Sequence, residues 1–589
     1  MKMRNGVTVV YLFNWFIVKA FFSVTVTLAF RRDVLRINLM PTIARTIGGP
    51  GAGKTTRALD LMEKILASEV ADPMRIGFVS FTRAARREAA ARAAHKFNVP
   101  LAELEKSGWF RTLHSVAYRC LGIQPGELLA GSEEDNLWLK NILGDERAKI
   151  VGGDNDDVFS MPSDAGDSCR ALAMWDAARN RQIPMETLWE AAYDSDSRTP
   201  GLSTCQAVVT VYEAAKREGG RFDFCDLLMR YAGKRWSGNH SAPFDDVEPE
   251  GDDPHLPVFM HDEAQDASLL TSLVFNRLTR FSQWVYLFLD EFQSIYEFAG
   301  ADGKLFGRCH AAREEILPIS YRCPSNILAC ADAVMLKGGH APRPFRSKDE
   351  GGDVIRTDLE DAVASVRADQ QTLVLARTNE YARHAANLLD DRGIPWIPTK
   401  GGGGFNAPAR AAGVAALVAL RKGHGIDGEQ VHRIMELLPV NADGTALFER
   451  GAKSHYADKE QRAGAHKISP LTLEFCADAG MTRAFRELVA SGRYVELLEK
   501  PAARMAAAAE RHGIESVLNP KVRVGTCHSA KGAQAEHVVA INRLPYPTVK
   551  SVQTEEGMQQ ERRVWFVTAS RASRKLTIAG GVGEEFADL

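Results

Sequence analysis

The sequence predicts an α/β protein made of two parallel-sheet units, each interrupted by a mainly helical insertion. Two observations carry this reading. From Thr42 onward, short apolar runs alternate with helical stretches, the pattern of parallel strands joined by crossover helices. The alternation breaks off near 125–205 and again after the glycine run 401–404, and each time it resumes. A length of 589 residues gives room for about three or four domains of ordinary size.

Taken in order, "IART" is a strand that runs into a glycine loop and then a helix with Leu59, Met62 and Leu66 on one face. "RIGFVSF" (75–81) is a second strand, followed by an Ala- and Arg-rich helix from Ala84. The stretch 126–205, with its polar loop "GGDNDD", reads as the first insertion. Residues 237–257 are acidic and Pro-rich and read as a solvated linker ahead of the strand "VFM". The first unit is expected at 40–125 and 206–310. The second is expected at 311–400 and 516–589, with strands "GDVIRT", "TLVLART", "VRVGTCHS", "EHVVAIN" and "KLTIAG", around a helical insertion at 401–515. There are no tandem repeats.

The composition, 45% hydrophobic and 25% charged, is that of a globular protein. A net charge of −2 gives no global basic signal, although a local basic groove is all that nucleic-acid binding requires. The nine Cys form no C-x-x-C pair, which argues against a metal cluster and for reduced cytosolic thiols. Residues 7–30 are long and apolar enough to span a bilayer, but Asn14 and Lys19 interrupt them. Three readings stand for the apolar extension 1–39: a membrane anchor, a strand or helix packed on the body, or sequence upstream of a start at Met40. The last is preferred, because "MPTIARTIGGPGAGKTT" is a complete domain opening. No later segment resembles a membrane span.

Chemistry enters with "GGPGAGKT", which fits G-x-x-x-x-G-K-[ST] between a strand and a helix. Gly48, Gly51 and Gly53 would turn backbone N–H groups inward around phosphates, at a helix N-terminus that favours negative charge. Lys54 would meet the β- and γ-phosphates, Thr55 would ligate Mg²⁺, and Thr56 completes the cradle. "VFMHDEAQD" supplies the acid partner: Asp262 would hold the metal, and Glu263 would orient and deprotonate the attacking water. This much predicts an NTPase using ATP and Mg²⁺. A kinase, a transporter motor or a signalling switch would fit equally.

Further segments narrow the choice. "FVSFTRAARREAAAR" (78–92), "FRTLHSVAYR" (110–119), "FDFCDLLMRY" (222–231), "DEAQD", "QSIYEFAGA", "ISYRCPSNIL" (319–328), "GTCHSAKGAQAEHVV" (525–539) and "ERRVWFVTASRA" (561–572) occur in this order. Together they resemble the motifs of the superfamily 1 DNA helicases of the UvrD, Rep and PcrA group. The resemblance implies two RecA-like P-loop NTPase motor domains. It implies that Gln293 contacts the γ-phosphate or the attacking water and reports its loss to the strand-facing loop. It implies that Arg322 and Arg571 reach the phosphates from the second domain, where a guanidinium spreads positive charge over the transferring oxygens. Tyr321 would stack on adenine. Thr82, Thr112, His114, Phe298, Thr526 and His528 would line a single-strand path, with Phe298 stacking on a base.

The match departs from the pattern in places. No Gln precedes Gly48 to read adenine, Gln534 stands where the pattern has a ribose-binding Glu, and Ala299 replaces an Arg beside the stacking aromatic. The chain ends 18 residues beyond Arg571, which leaves no nuclease domain in this sequence. The expected function is an ATP-dependent DNA helicase moving 3′ to 5′ along single-stranded DNA and acting at duplex junctions. It would be a cytoplasmic monomer or weakly self-associating protein of a bacterium or a phage-infected cell, without membrane contact. The alternatives are a translocase that strips proteins from DNA without unwinding it, a P-loop ATPase whose DNA site has become a protein-interaction surface, and an RNA helicase.

Overall fold

The computed structural model describes residues 41–68, 72–80, 83–150, 166–193, 198–399, 408–467, 469–581 and 585–589. The apolar stretch 7–30, the loop "GGDNDD", the glycine run 401–404 and Thr82 lie outside the described residues.

Strands β1 (Thr42–Gly48), β2 (Ile76–Val79), β3 (Trp109–Arg111), β4 (Val258–His261), β5 (Trp284–Leu289) and β6 (Arg313–Leu317) form one parallel sheet in the order β3-β2-β4-β5-β1-β6. Parallel strands need crossovers that cover both faces, so their sequences are continuously apolar rather than alternating. β2 and β4 accordingly are buried at every position. On one face, Ala58, Leu59 and Met62 of helix α1 (Lys54–Ala67) pack on Phe78, Phe110 and Phe288. On the other, Val79, Leu113, Phe259, Leu270 and Val285 form a separate core.

The boundary expected at 310 moves. Arg313–Leu317 pairs with β1 and closes the edge of the first sheet, so the first domain runs through Leu317. As an exposed edge strand with the sequence "REEIL", it carries no apolar run to mark its side.

In and beside the first insertion lie helices α2 (Asp167–Arg181), α3 (Leu202–Gly219) and α4 (Phe224–Ala232). α3 crosses the expected limit at 205. The three helices enclose an ionic cluster. Asp223 caps α4 and accepts hydrogen bonds from Arg179 (2.8 Å), Lys216 (2.8 Å) and the Tyr212 hydroxyl (3.1 Å). Lys216 also reaches Asp226 at 2.7 Å, and Trp175 donates to Glu213 at 2.7 Å. The carboxylates of Glu213, Asp223 and Asp226 converge as a metal site would, but Arg179 and Lys216 already pair with them. The stretch read as a solvated linker from 237 is partly folded. Lys234–Trp236 pairs antiparallel with Phe244–Asp246, and Phe244 stacks on Trp175 with ring centroids 5.7 Å apart.

The second sheet contains β7 (Asp353–Asp358), β8 (Thr372–Ala376), β9 (Trp396–Pro398), β10 (Val522–Thr526), β11 (Ala535–Ile541) and β12 (Ala572–Gly580), all parallel, in the order β7-β12-β11-β8-β10-β9. Helix α5 (Glu555–Ala569) covers one face with Val564, Trp565 and Phe566. The second insertion is helical and keeps its own core, including Val414, Leu417, Val431, Ile434, Phe485 and Met505. Two doubly wound sheets with helical insertions are the architecture expected from the sequence. Among the described residues, no helix is long and apolar enough to cross a membrane.

Candidate active site

The order β4-β5-β1 places three strand ends side by side at the carboxyl edge of the first sheet, where parallel sheets hold their ligands. After β1, Gly51 (φ +68°) and Gly53 (φ +82°) take the left-handed conformation that lets the chain turn tightly into α1. Lys54 is buried with its ammonium on the Gly48 carbonyl, 3.1 Å away. The Thr55 hydroxyl donates to the Asp262 carboxylate at 2.9 Å, which brings loop and acid together across the sheet.

The acid turn itself is strained. Glu263 has φ +54° and ψ +42°, a conformation that costs a non-glycine residue about 1–3 kcal/mol. Gln265 holds it there: its amide nitrogen donates to Glu263 at 2.5 Å, and its amide oxygen accepts from the Asp290 backbone at 3.0 Å. Burial and the neighbouring Glu263 push the Asp262 carboxyl up. Burial also opposes ionisation of Glu263, but Lys54 and Lys531 outweigh it and hold this carboxyl below the usual range. One acid of the pair is thus kept ionised next to a lysine that a phosphate would neutralise.

The second domain closes over this edge. Ser320 donates from its hydroxyl to the Pro50 carbonyl at 2.7 Å, and the Tyr321 backbone donates to the Gly51 carbonyl at 3.0 Å. Arg322 follows, its guanidinium donating to the Gln534 amide oxygen at 2.7 Å. Arg571, 2% exposed, donates to the Gln293 amide oxygen at 3.2 Å, while the Gln293 amide nitrogen donates to Asp290 at 2.7 Å. Arg343 donates to the other Asp290 oxygen at 2.5 Å and lies over the Phe292 ring at 3.8 Å. Burial lowers both Arg322 and Arg571, and for Arg571 the Arg322 cation adds to it.

Three cations (Lys54, Arg322 and Arg571) therefore share one cleft with an acid pair and an inward-turned glycine loop. Such a set binds a polyphosphate chain and stabilises charge on a transferring phosphoryl group. A family model for the UvrD/REP helicase N-terminal domain matches residues 37–311. Over this part of its length the chain is similar to the UvrD/Rep/PcrA group of superfamily 1 helicases. DNA helicase II of Escherichia coli (strain K12) is 22% identical over 636 residues, covering 90% of this chain and 81% of that protein. DNA helicase II of Salmonella typhimurium is 22% identical over 629 residues, again covering 90% and 81%. The ATP-dependent DNA helicase PcrA of Leuconostoc citreum is 23% identical over 381 residues, covering 59% of this chain and 47% of that protein.

The chain is an ATP-hydrolysing enzyme, and the sequence-predicted residues can be placed against that activity. Lys54, Thr55, Asp262, Glu263, Gln293, Arg322 and Arg571 converge. Tyr321 stands 61% exposed, with the Lys348 ammonium 5.6 Å from its ring centroid. Thr56 faces outward and accepts from Arg92 at 3.4 Å. Gln534 is committed to Arg322.

The expected strand-lining residues fall in two places. Phe298 is 46% exposed and meets the His528 ring edge-on at 5.2 Å and 89°. Thr526 begins the same turn and accepts from the Ser529 backbone at 3.2 Å. Elsewhere, His114 packs against Phe224 at 5.9 Å, and Thr112 caps its helix by accepting from the Ser115 backbone at 3.3 Å. Burial holds His114 near 4, so it offers a neutral ring.

The sequence reading assigned no role to Gln265, Asp290, Arg343, Asp266 or Lys531. Gln265, Asp266 and Lys531 stand inside quoted motifs, so position was the available signal. Asp290 and Arg343 had none beyond following an apolar strand and a Pro.

Proposed function

We propose that this helicase couples ATP hydrolysis to 3′-to-5′ movement along single-stranded DNA and to unwinding at duplex junctions. The Gln293 amide carries the proposal, because it joins a group of the nucleotide cleft to the loop that presents Phe298.

The cleft residues fit the nucleotide and its metal. The Thr55 hydroxyl and Asp262 carboxylate, already 2.9 Å apart, would hold Mg²⁺, which would neutralise charge on the phosphates. Lys54 would leave the Gly48 carbonyl for the phosphates. Glu263, kept ionised, accepts a proton from the attacking water, while Arg322 and Arg571 stabilise charge on the transferring group. Tyr321, exposed at the seam, offers a ring to the base.

Loss of the terminal phosphate would free Arg571 and shift Gln293. Five positions further along, Phe298 would then change its grip on a base. Stacking of this kind tolerates any sequence, as a motor requires. All nine cysteines are free thiols, which fits a reducing cytoplasm.

The deciding experiment measures ATP turnover with and without single-stranded DNA. Stimulation by the strand supports the proposal, and turnover indifferent to it refutes the DNA-coupled reading. Parallel unwinding and streptavidin-displacement assays separate a helicase from a translocase that only clears bound protein.

A further inference from the structure

Lys531 lies in the turn after β10, in the second domain, yet all of its acceptors belong to the first. Its ammonium donates to both carboxylate oxygens of Asp266 and to the backbone carbonyl of Gln293, each at 2.5 Å. An ammonium has three hydrogens, and here all are used. The pair is desolvated, with side chains 6% and 1% exposed, and the Tyr296 ring covers the ammonium at 5.0 Å. Asp266 stands three residues after Glu263, and Gln293 is the residue whose side chain meets Arg571.

From this geometry we infer that Lys531 is a positioning residue for hydrolysis, fixing the Glu263 turn and the Gln293 loop in register when the two domains close. The second domain grips Gln293 at both ends, its main chain through Lys531 and its side chain through Arg571. Neither ion of the Lys531–Asp266 pair is tolerable alone in a desolvated seam, whereas both are comfortable in water. The contact therefore exists only with the cleft shut and releases both ions to solvent when it opens. It aligns base and relay in the closed state without touching the nucleotide.

This inference builds on the hydrolytic site proposed above but not on its coupling to DNA. The test compares Lys531→Met, Asp266→Asn and the double variant with the unaltered full chain. It measures turnover and KM for ATP, with and without an oligo-dT strand, alongside thermal unfolding and binding of a non-hydrolysable ATP analogue. Each single variant leaves one ion without its partner and is expected to unfold at a lower temperature. The double variant removes both ions, so its unfolding midpoint should return close to that of the unaltered chain. Its turnover at saturating ATP should stay lower by at least about tenfold, with KM within about threefold, because misalignment acts on the chemical step.

Recovery of full turnover by the double variant would show a merely structural pair and overturn the inference. Loss of analogue binding in the double variant would overturn it too, since the segment would then shape the binding site. Absence of oligo-dT stimulation in the unaltered chain counts against the DNA-coupled function alone. Lys531 is then still judged on unstimulated turnover.

Discussion

Gln293 uses both ends of its amide at the domain seam, accepting across it from Arg571 at 3.2 Å and donating within its own domain to Asp290 at 2.7 Å. Asp290 is itself fully buried and held by Arg343, so the amide cannot rotate without breaking a charged contact. Gln293→Ala removes the link while leaving the strand-facing surface intact. Hydrogen bonds to charged groups are worth about 1.5–3 kcal/mol. DNA-stimulated turnover should accordingly fall by about tenfold or more, with single-strand affinity within about threefold. Steady-state hydrolysis and fluorescence-anisotropy titrations check the two arms.

Phe298→Ala should give the reverse pattern. Its ring is nearly half exposed and braced edge-on by His528. Losing one base–aromatic stack costs about 1–3 kcal/mol, or roughly 5- to 150-fold in single-strand affinity. Turnover at saturating DNA should change little, which a titration of stimulated hydrolysis measures directly.

Lys54→Ala and Glu263→Gln should each abolish turnover for different reasons. Removing the Lys54 ammonium takes away a phosphate contact, so nucleotide binding weakens. An amide in place of the Glu263 carboxylate cannot accept a proton, so turnover should fall by roughly 10²- to 10⁴-fold while ATP and DNA still bind. Phosphate-release kinetics with parallel binding titrations distinguish them, and full DNA-stimulated hydrolysis by either variant would overturn the site assignment.

His261 should make stability depend on pH. It is 3% exposed, packs on Phe275 at 4.7 Å, and burial lowers it to about 3. Between pH 6.5 and this value the unfolded chain binds a proton that the folded chain refuses, so acidification favours unfolding. Going from pH 7 to pH 5 should cost the His261 protein roughly 2 kcal/mol that His261→Leu does not lose. Urea unfolding of both proteins at the two pH values gives the difference.

Arg179→Met tests the ionic cluster of the first insertion. Arg179 is 1% exposed and braces Asp223, which also caps α4. Removing one partner of a buried charge network costs about 3–5 kcal/mol. Denaturant unfolding should show that loss, and the double variant Arg179→Met with Asp223→Asn should recover part of it.

The sequence revealed the sheets better than it revealed their seams. β2, β4, β5 and β8 are short apolar runs because they are covered on both faces, and that signal survives in one dimension. β6 was assigned to the wrong domain because an exposed edge strand needs no apolar run; only its register with β1 reveals its side. Lys54 and Asp262 stood out because the chemistry expected of them restricts residue type and spacing, whereas Arg571 was singled out only through the resemblance to helicase motifs. The ionic cluster was not, since Arg179, Lys216 and Asp226 read along the chain as ordinary helix surface. Charges announce themselves as solvated until a fold surrounds them. Lys531 stood inside a quoted motif, but nothing along the chain showed that its acceptors lie in the other domain.

Gly51 is usually explained by what a phosphate needs, but here a second demand falls on it. A Cβ built at this position would lie 2.3 Å from the Cβ of Arg322, whose backbone passes directly over the loop. There is thus no room for a side chain between the two halves of the motor at this point. Any side chain would act as a doorstop, holding the cleft ajar even if the loop itself could still wrap a nucleotide. The smallest residue in the chain is therefore a gauge of how far the machine shuts, and drift at position 51 would be opposed by the moving parts as well as by the fuel.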